Sequence, residues 1–189
     1  MSEFLDIVNE ENGPTGEVAD RVTAHEKGLF HRHVSCWIMN KEGKILLQRR
    51  AYTKAKNPGL WAKTGGHVDA GETPEDAAIR EIKEEIGLNI EKEDLTCSSI
   101  YKSSENTCFG YEFVVITDMA ERDFLIQKEE VAEVKYFTIE EIEEAFNSKD
   151  PEFTFIKWKG TELLDKTKML KNIRENVCNS KERGIYENE

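Results

Sequence analysis

Between Gly66 and Leu88 the chain reads GHVDAGETPEDAAIREIKEEIGL, a stretch that has little choice but to form a glycine-bounded loop running into one amphipathic helix. Thr73 is a good N-cap, and Pro74 suits the first helical position, where its missing N–H costs nothing. Glu75 and Asp76 complement the positive end of the helix dipole. The helix is expected from about Pro74 to Ile86, with Gly87 ending it where a left-handed cap is cheapest for glycine. At about 100° per residue, Glu81, Glu84 and Glu85 fall within one arc of roughly 100°, and Ile79, Ile82 and Ile86 share the neighbouring arc. One stripe is core and the next is acidic. Carboxylates this close repel unless a cation lies between them, and hard divalent ions prefer oxygen ligands, so the cluster implies a metal such as Mg²⁺. The competing reading of three glutamates on a helix is a solvated charged face, which the spaced glycines, Glu72 and Arg80 make the weaker one.

Composition restricts the partners. A formal net charge of −12 over 189 residues argues against nucleic acid or an anionic membrane surface as a partner. A small anionic substrate must then rely on metal and local cations. No apolar run approaches the length of a membrane span, and the start, MSEFLDIVNEENG, is acidic where a secretory segment would be basic and then apolar. A cytoplasmic protein is expected. Cys36, Cys97, Cys108 and Cys178 lack CxxC spacing, which fits reduced structural thiols better than a disulfide frame or a zinc site.

The order of elements suggests an α+β fold. Residues 1–30 carry the turn signal Asn12-Gly13-Pro14-Thr15-Gly16 between short segments, expected as a hairpin or irregular arm. His33 to Met39 and Lys44 to Gln48 read as an antiparallel hairpin about a turn at Asn40 to Gly43. A loop over 51–60 leads to a short strand near Trp61 to Thr64. Beyond Gly87, strands are expected near Thr96 to Lys102, Tyr111 to Thr117 and Glu133 to Phe137, then a helix near Ile139 to Phe146. Leu163, Leu164, Met169, Leu170 and Ile173 fit a C-terminal amphipathic helix from Thr161 to about Cys178.

Gly66, Glu72, Arg80, Glu81, Ile82, Glu84, Glu85, Gly87 and Leu88 fill the Nudix box at every specified position, and the chain resembles the Nudix hydrolases. The resemblance implies a mixed β-sheet sandwiched between helices, with an arm over 1–30, a hydrolase domain over 31–180 and a frayed tail over 181–189. It implies hydrolysis of a diphosphate linkage in a small-molecule substrate, a nucleoside diphosphate or related ester, with Mg²⁺ or Mn²⁺. Its metal ligands would be Glu81, Glu84, Glu85 and the carbonyl of Gly66. Glu72 and Arg80 would orient loop and helix. The general base would be Glu85 or a carboxylate on a later loop, for which Glu130 is the best placed.

The likeness extends to His31-Arg32-His33-Val34, Leu46-Leu47-Gln48-Arg49-Arg50 and Asn57-Pro58-Gly59-Leu60-Trp61, which are similar to the isopentenyl diphosphate isomerase branch of the superfamily. That branch implies a second metal site at His25, His31 and His67, with Glu112, and an isomerase as the alternative activity. Neutral imidazole is a competent ligand for Mn²⁺ or Zn²⁺. The chain departs from the isomerases in having Thr64-Gly65-Gly66-His67 where they carry an acidic cysteine, and Gly110 near Glu112 where they carry a pair of glutamates. Glycine can supply neither acid nor base, so hydrolysis is the favoured expectation. Trp37, Trp61, Tyr101 and Phe109 are read as core residues before base-stacking ones.

Overall fold

In FLDIV, Leu5 and Ile7 share one face of an extended segment, and the turn rich in Asn and Gly that follows makes a hairpin the cheapest local structure for the first residues. In the computed structural model, which describes residues 3–104, 106–154 and 165–175, strand β1 (Phe4–Val8) pairs antiparallel with β2 (Pro14–Asp20). Asn12 takes a left-handed conformation in the turn, and its side chain is clamped from both sides. Arg32 Nε donates to Asn12 Oδ1 at 2.8 Å, and Asn12 Nδ2 donates to the Tyr111 hydroxyl at 2.7 Å. A one-and-a-half-turn helix, α1 (Arg21–Glu26), follows at once, capped by Asp20, whose carboxylate accepts from the Thr23 N–H at 3.1 Å. Leu5, Ile7 and Ala24 are buried together with Ala19 and Leu29 against them, and this small cluster presses α1 onto β1. The sequence gives no periodic signal for α1, because six residues are too few for one.

The chain divides into two units. The first comprises Met1–Trp37 and Thr64–Val115, the second Ile38–Lys63 and Ile116–Glu189. The first holds the hairpin, α1, helix α2 (Pro74–Ile86), strand β6 (Thr96–Ser103), most of β7 (Cys108–Thr117) and the start of β3 (His31–Asn40). β6 and β7 pair antiparallel, with Ser99 opposite Glu112 and Tyr101 opposite Gly110. In the second unit β4 (Ile45–Arg50) is the centre: it pairs antiparallel with the end of β3, with β5 (Trp61–Ala62) and with β8 (Val131–Phe137). Helix α3 (Ile139–Asn147) follows, with Thr138 and Glu141 forming a reciprocal capping box. Residues 165–175 are helical, and Lys171 reaches Glu143 on α3 at 2.8 Å. The rest of the helix expected from Thr161 to about Cys178, and the tail over 181–189, lie outside the described residues.

The α+β class expected from the sequence is what the structure shows. β3 is buried almost without alternation from Val34 to Met39, as for a strand covered on both faces. Trp37, Trp61 and Phe109 are core residues, whereas Tyr101 keeps more than a third of its surface exposed. Cys36 and Cys108 are buried free thiols, Cys97 is an exposed one, and Cys178 lies outside the described residues.

Helix α2 matches the capping residues read from the sequence. The Thr73 hydroxyl accepts from the Asp76 N–H at 3.2 Å, and Ile82 and Ile86 are fully buried on its core face. Gly87 terminates it at φ 71°, its N–H donating to the Lys83 carbonyl at 3.0 Å. A β-carbon is strained in that conformation by about 1 kcal/mol. Gly87→Ala is therefore expected to lower the unfolding free energy by about 1 kcal/mol, read as a lower urea midpoint at unchanged slope.

Candidate active site

The loop before α2 is not free to wander, because it runs as an irregular strand along β3. Cys36 N–H donates to the Thr64 carbonyl at 2.8 Å, Val34 N–H to Gly66 at 2.8 Å, and Val68 N–H to Arg32 at 3.0 Å. His33 and His67 stand opposite each other in this ladder. The Gly66 carbonyl, one of the expected metal ligands, thus has one lone pair already engaged by Val34. The two glycines have separate causes. Gly65 sits at φ 151°, and a β-carbon there would lie 2.2 Å from the Val34 carbonyl oxygen. Gly66 has an ordinary backbone, but a β-carbon would lie 2.2 Å from Glu81 Oε1. The first glycine is required by the chain path, and the second by a carboxylate.

Arg80 organises the acidic stripe. Its Nε and Nη2 donate to the two oxygens of Glu72 at 2.8 and 2.9 Å, Nη1 to Glu81 at 2.8 Å, and Nη2 also to the His67 carbonyl at 3.0 Å. Glu84 lies 3.5 Å from the same guanidinium and is more than half exposed. Glu72 also accepts the Asp69 N–H at 3.1 Å. Burial works to raise the Glu72 pKa, but the Arg80 and Asp69 hydrogen bonds outweigh it and hold the carboxyl below the usual range. Those bonds, Glu72 first, push the Arg80 pKa further up. Glu81 goes the other way: burial raises its pKa, and Arg80 only partly offsets this. Glu85 is buried, and its Oε2 accepts the Gly65 N–H at 3.0 Å. Loop and helix therefore hold Glu72, Glu81 and Glu84 on one guanidinium, with Glu85 anchored to the loop beside them, a donor set suited to a hard divalent cation.

A second group stands beside the first. His25 from α1, His31 from β3 and His67 from the loop offer ring nitrogens that all lie within 4.8 Å of one another. His25 Nε2 and His67 Nε2 are 3.1 Å apart, and His31 Nδ1 donates to the Leu29 carbonyl at 2.9 Å. Burial lowers the pKa of His31 and, with help from Arg21 and the neighbouring histidines, brings that of His67 to about 3. Both rings are thus neutral near pH 7, as ligation requires. Glu112 lies outside this 4.8 Å group; it is buried, and its Oε2 accepts the Ser99 hydroxyl at 2.8 Å. Glu130 belongs to the second unit, on the turn before β8, where its carboxylate is paired with Lys54. Reading the sequence singles out neither Glu3 nor Arg21, and it gives no contact between His33 and Tyr101. Tyr101 packs over Gly110, and its hydroxyl lies 3.2 Å from His33 Nε2. These contacts join residues up to 68 positions apart, and no local spacing announces them.

Residues 29–159 match the family model of the NUDIX domain. The chain belongs to the Nudix family, the hydrolases of diphosphate bonds, which work with divalent metals. It is 32% identical over 142 residues to an uncharacterized Nudix hydrolase of Listeria monocytogenes, covering 75% of this chain and 83% of the relative. It is 29% identical over 156 residues to isopentenyl-diphosphate Delta-isomerase 2 of Photorhabdus laumondii, covering 82% of this chain and 88% of that one. In fold it is similar to DR0079 of Deinococcus radiodurans, with a TM-score of 0.68 at 21% identity over 82% of this chain and 94% of that one. Among the described residues, no helix is long and apolar enough to cross a membrane.

The neutral His67 has a consequence for stability. Its pKa moves from an ordinary 6.5 to about 3, so between these values the unfolded chain binds a proton that the folded chain does not. In metal-free protein its contribution falls as pH drops from about 6.5 toward 3 and is level below that. Glu81, raised, contributes the opposite slope in its own range. In chelator, His67→Gln is expected to flatten the acid decline of the urea midpoint, and equal slopes in variant and wild type would contradict a buried neutral His67.

Proposed function

We propose that this chain hydrolyses a diphosphate linkage in a nucleoside diphosphate or a related diphosphate ester, with Mg²⁺ or Mn²⁺ bound by Glu81, Glu84, Glu85 and the Gly66 carbonyl. The observation that carries this reading is the approach of Gly66 to the Glu81 carboxylate, beside the buried Glu85 and the exposed Glu84. When bound, the ion neutralises diphosphate oxygens and lowers the pKa of the attacking water. The chain's own residues set the rest. Arg80 and Glu72 fix the angle between loop and helix, and the Gly65 N–H holds Glu85 in place. Glu84, the most exposed of the three glutamates, is open to substrate from solvent. Glu85 is the base within the box. The catalytic domain spans 31–180, with the arm over 1–30 contributing His25.

Two substitutions separate this chemistry from mere folding. Glu85→Gln removes charge at constant shape, and turnover is expected to fall about a hundredfold or more. Gly66→Ala meets only the flexible end of Glu81, so its melting temperature should stay near wild type while turnover falls comparably. The assay is release of phosphate or monophosphate from a panel of nucleotides and diphosphate esters with Mg²⁺ and with Mn²⁺. Wild-type turnover in folded Glu85→Gln would sink the assignment.

The convergence of His25, His31 and His67 supports a second reading, isomerisation of isopentenyl diphosphate on the same fold. Against it stand Gly65 and Gly66 where an acidic cysteine would be needed. Incubation with isopentenyl diphosphate in deuterated water distinguishes the two. No deuterium is expected on carbon, and uptake at a catalytic rate would replace the hydrolase reading with the isomerase one.

A further inference from the structure

The histidine trio has a neighbour that comes from the very start of the chain. Glu3 Oε2 lies 3.5 Å from His67 Nδ1. Its carboxylate is itself held: Arg21 Nη1 is 3.0 Å from each Glu3 oxygen, and the Arg21 N–H donates to the Glu3 carbonyl at 2.9 Å. These bonds extend the β1–β2 ladder one step past the Phe4 and Asp20 pair. On the far side of the same ring, His67 Nε2 faces His25 Nε2 at 3.1 Å. A hydrogen bond between the two rings needs one donor and one acceptor.

The surroundings determine which ring accepts. A carboxylate beside Nδ1 stabilises a proton on that nitrogen, and at 3.5 Å it does so through the field acting on the N–H dipole rather than through a close hydrogen bond. His67 Nε2 is then the lone pair, and His25 Nε2 donates to it. His31 reaches the same state by another route, since the Leu29 carbonyl can only accept and so fixes the proton on His31 Nδ1. Both rings then turn unprotonated Nε2 atoms into the group. Histidines that ligate metals commonly pass their other N–H to a carboxylate or carbonyl in this way, and loss of that partner lowers metal affinity about 10- to 100-fold.

We propose that Glu3, anchored by Arg21, is a positioning residue that holds His67 in its Nδ1–H tautomer and so prepares the trio to accept a divalent cation. This rests on the reading of His25, His31 and His67 as a metal site.

The full chain, labelled with ¹⁵N-histidine and stripped of metal, gives the tautomer directly from long-range proton–nitrogen correlations, with His67→Gln assigning the signals. Zn²⁺ affinity, measured by competition with a chelator, is the second readout. Wild type is expected to show His67 as Nδ1–H. Glu3→Ala should shift it toward a tautomer mixture and weaken Zn²⁺ binding about 10- to 100-fold at a wild-type melting temperature in chelator. Glu3→Gln, which removes the charge at nearly constant shape, should weaken binding as Glu3→Ala does. Glu3→Asp keeps the charge but withdraws it by one methylene; it carries the test if Glu3→Ala does not fold, and it too should bind more weakly. If His31→Ala abolishes Zn²⁺ binding while Glu3→Ala, or Glu3→Asp in its place, leaves tautomer and affinity at wild type, the role of Glu3 is overturned and the metal site stands. If His31→Ala binds Zn²⁺ as wild type does, the trio is not the site and the proposal falls with it.

Discussion

The site depends on one guanidinium. Arg80 contacts Glu72, Glu81, Glu84 and the His67 carbonyl, and those acceptors come from the loop, the helix and the strand-like segment before it. Arginine suits this place because its planar fork engages both Glu72 oxygens and still has donors left for two further directions. A lysine, with its charge on one nitrogen, cannot meet that geometry. The arrangement is nevertheless under-neutralised. Glu81 is largely buried and shares its counter-charge with Glu72, which is why burial wins at Glu81 and the hydrogen bonds win at Glu72. The metal-free fold therefore carries the cost of gathering acids that a divalent cation would relieve.

Helix α2 was legible to the residue, Pro74 to Ile86, because cap, first-turn acids, apolar period and terminal glycine all agree. The hairpin of β3 and β4 was legible in type but short at its ends: β3 begins at His31, where the sequence suggested His33. Those two residues matter, since they bring His31 into the ladder. β7 starts at Cys108 and not Tyr111, because Gly110 lowers strand propensity while Tyr101, sitting over it from β6, supplies the missing packing. Helix α1 was not legible. It is stabilised by the burial of Ala24 against Leu5 and Ile7, a contact made only after the hairpin closes.

The glycines show where a motif ends and a cause begins. Spacing alone marks Gly65 and Gly66 as a pair, yet one answers to backbone conformation and the other to the nearness of a side chain fifteen positions later. The same limit applies to Glu3. Its register with Arg21 follows from the hairpin, but its approach to His67 requires the loop to be pinned on β3 first.

That pinning also explains how two donor groups of different chemistry fit into one unit. In the ladder opposite β3, successive residues point to opposite sides, as in any extended chain. Gly66 accordingly meets Glu81 of α2, while His67, the next residue, turns to His25 and His31. Oxygen donors gather on one side of the segment and imidazoles on the other. Arg80 spans the division, with one nitrogen on Glu81 and another on the carbonyl of His67. Any movement of Glu81 that pulls Arg80 away from that carbonyl loosens the peptide carrying the histidine, so the acidic and imidazole groups share one mechanical support, though no helix carries members of both.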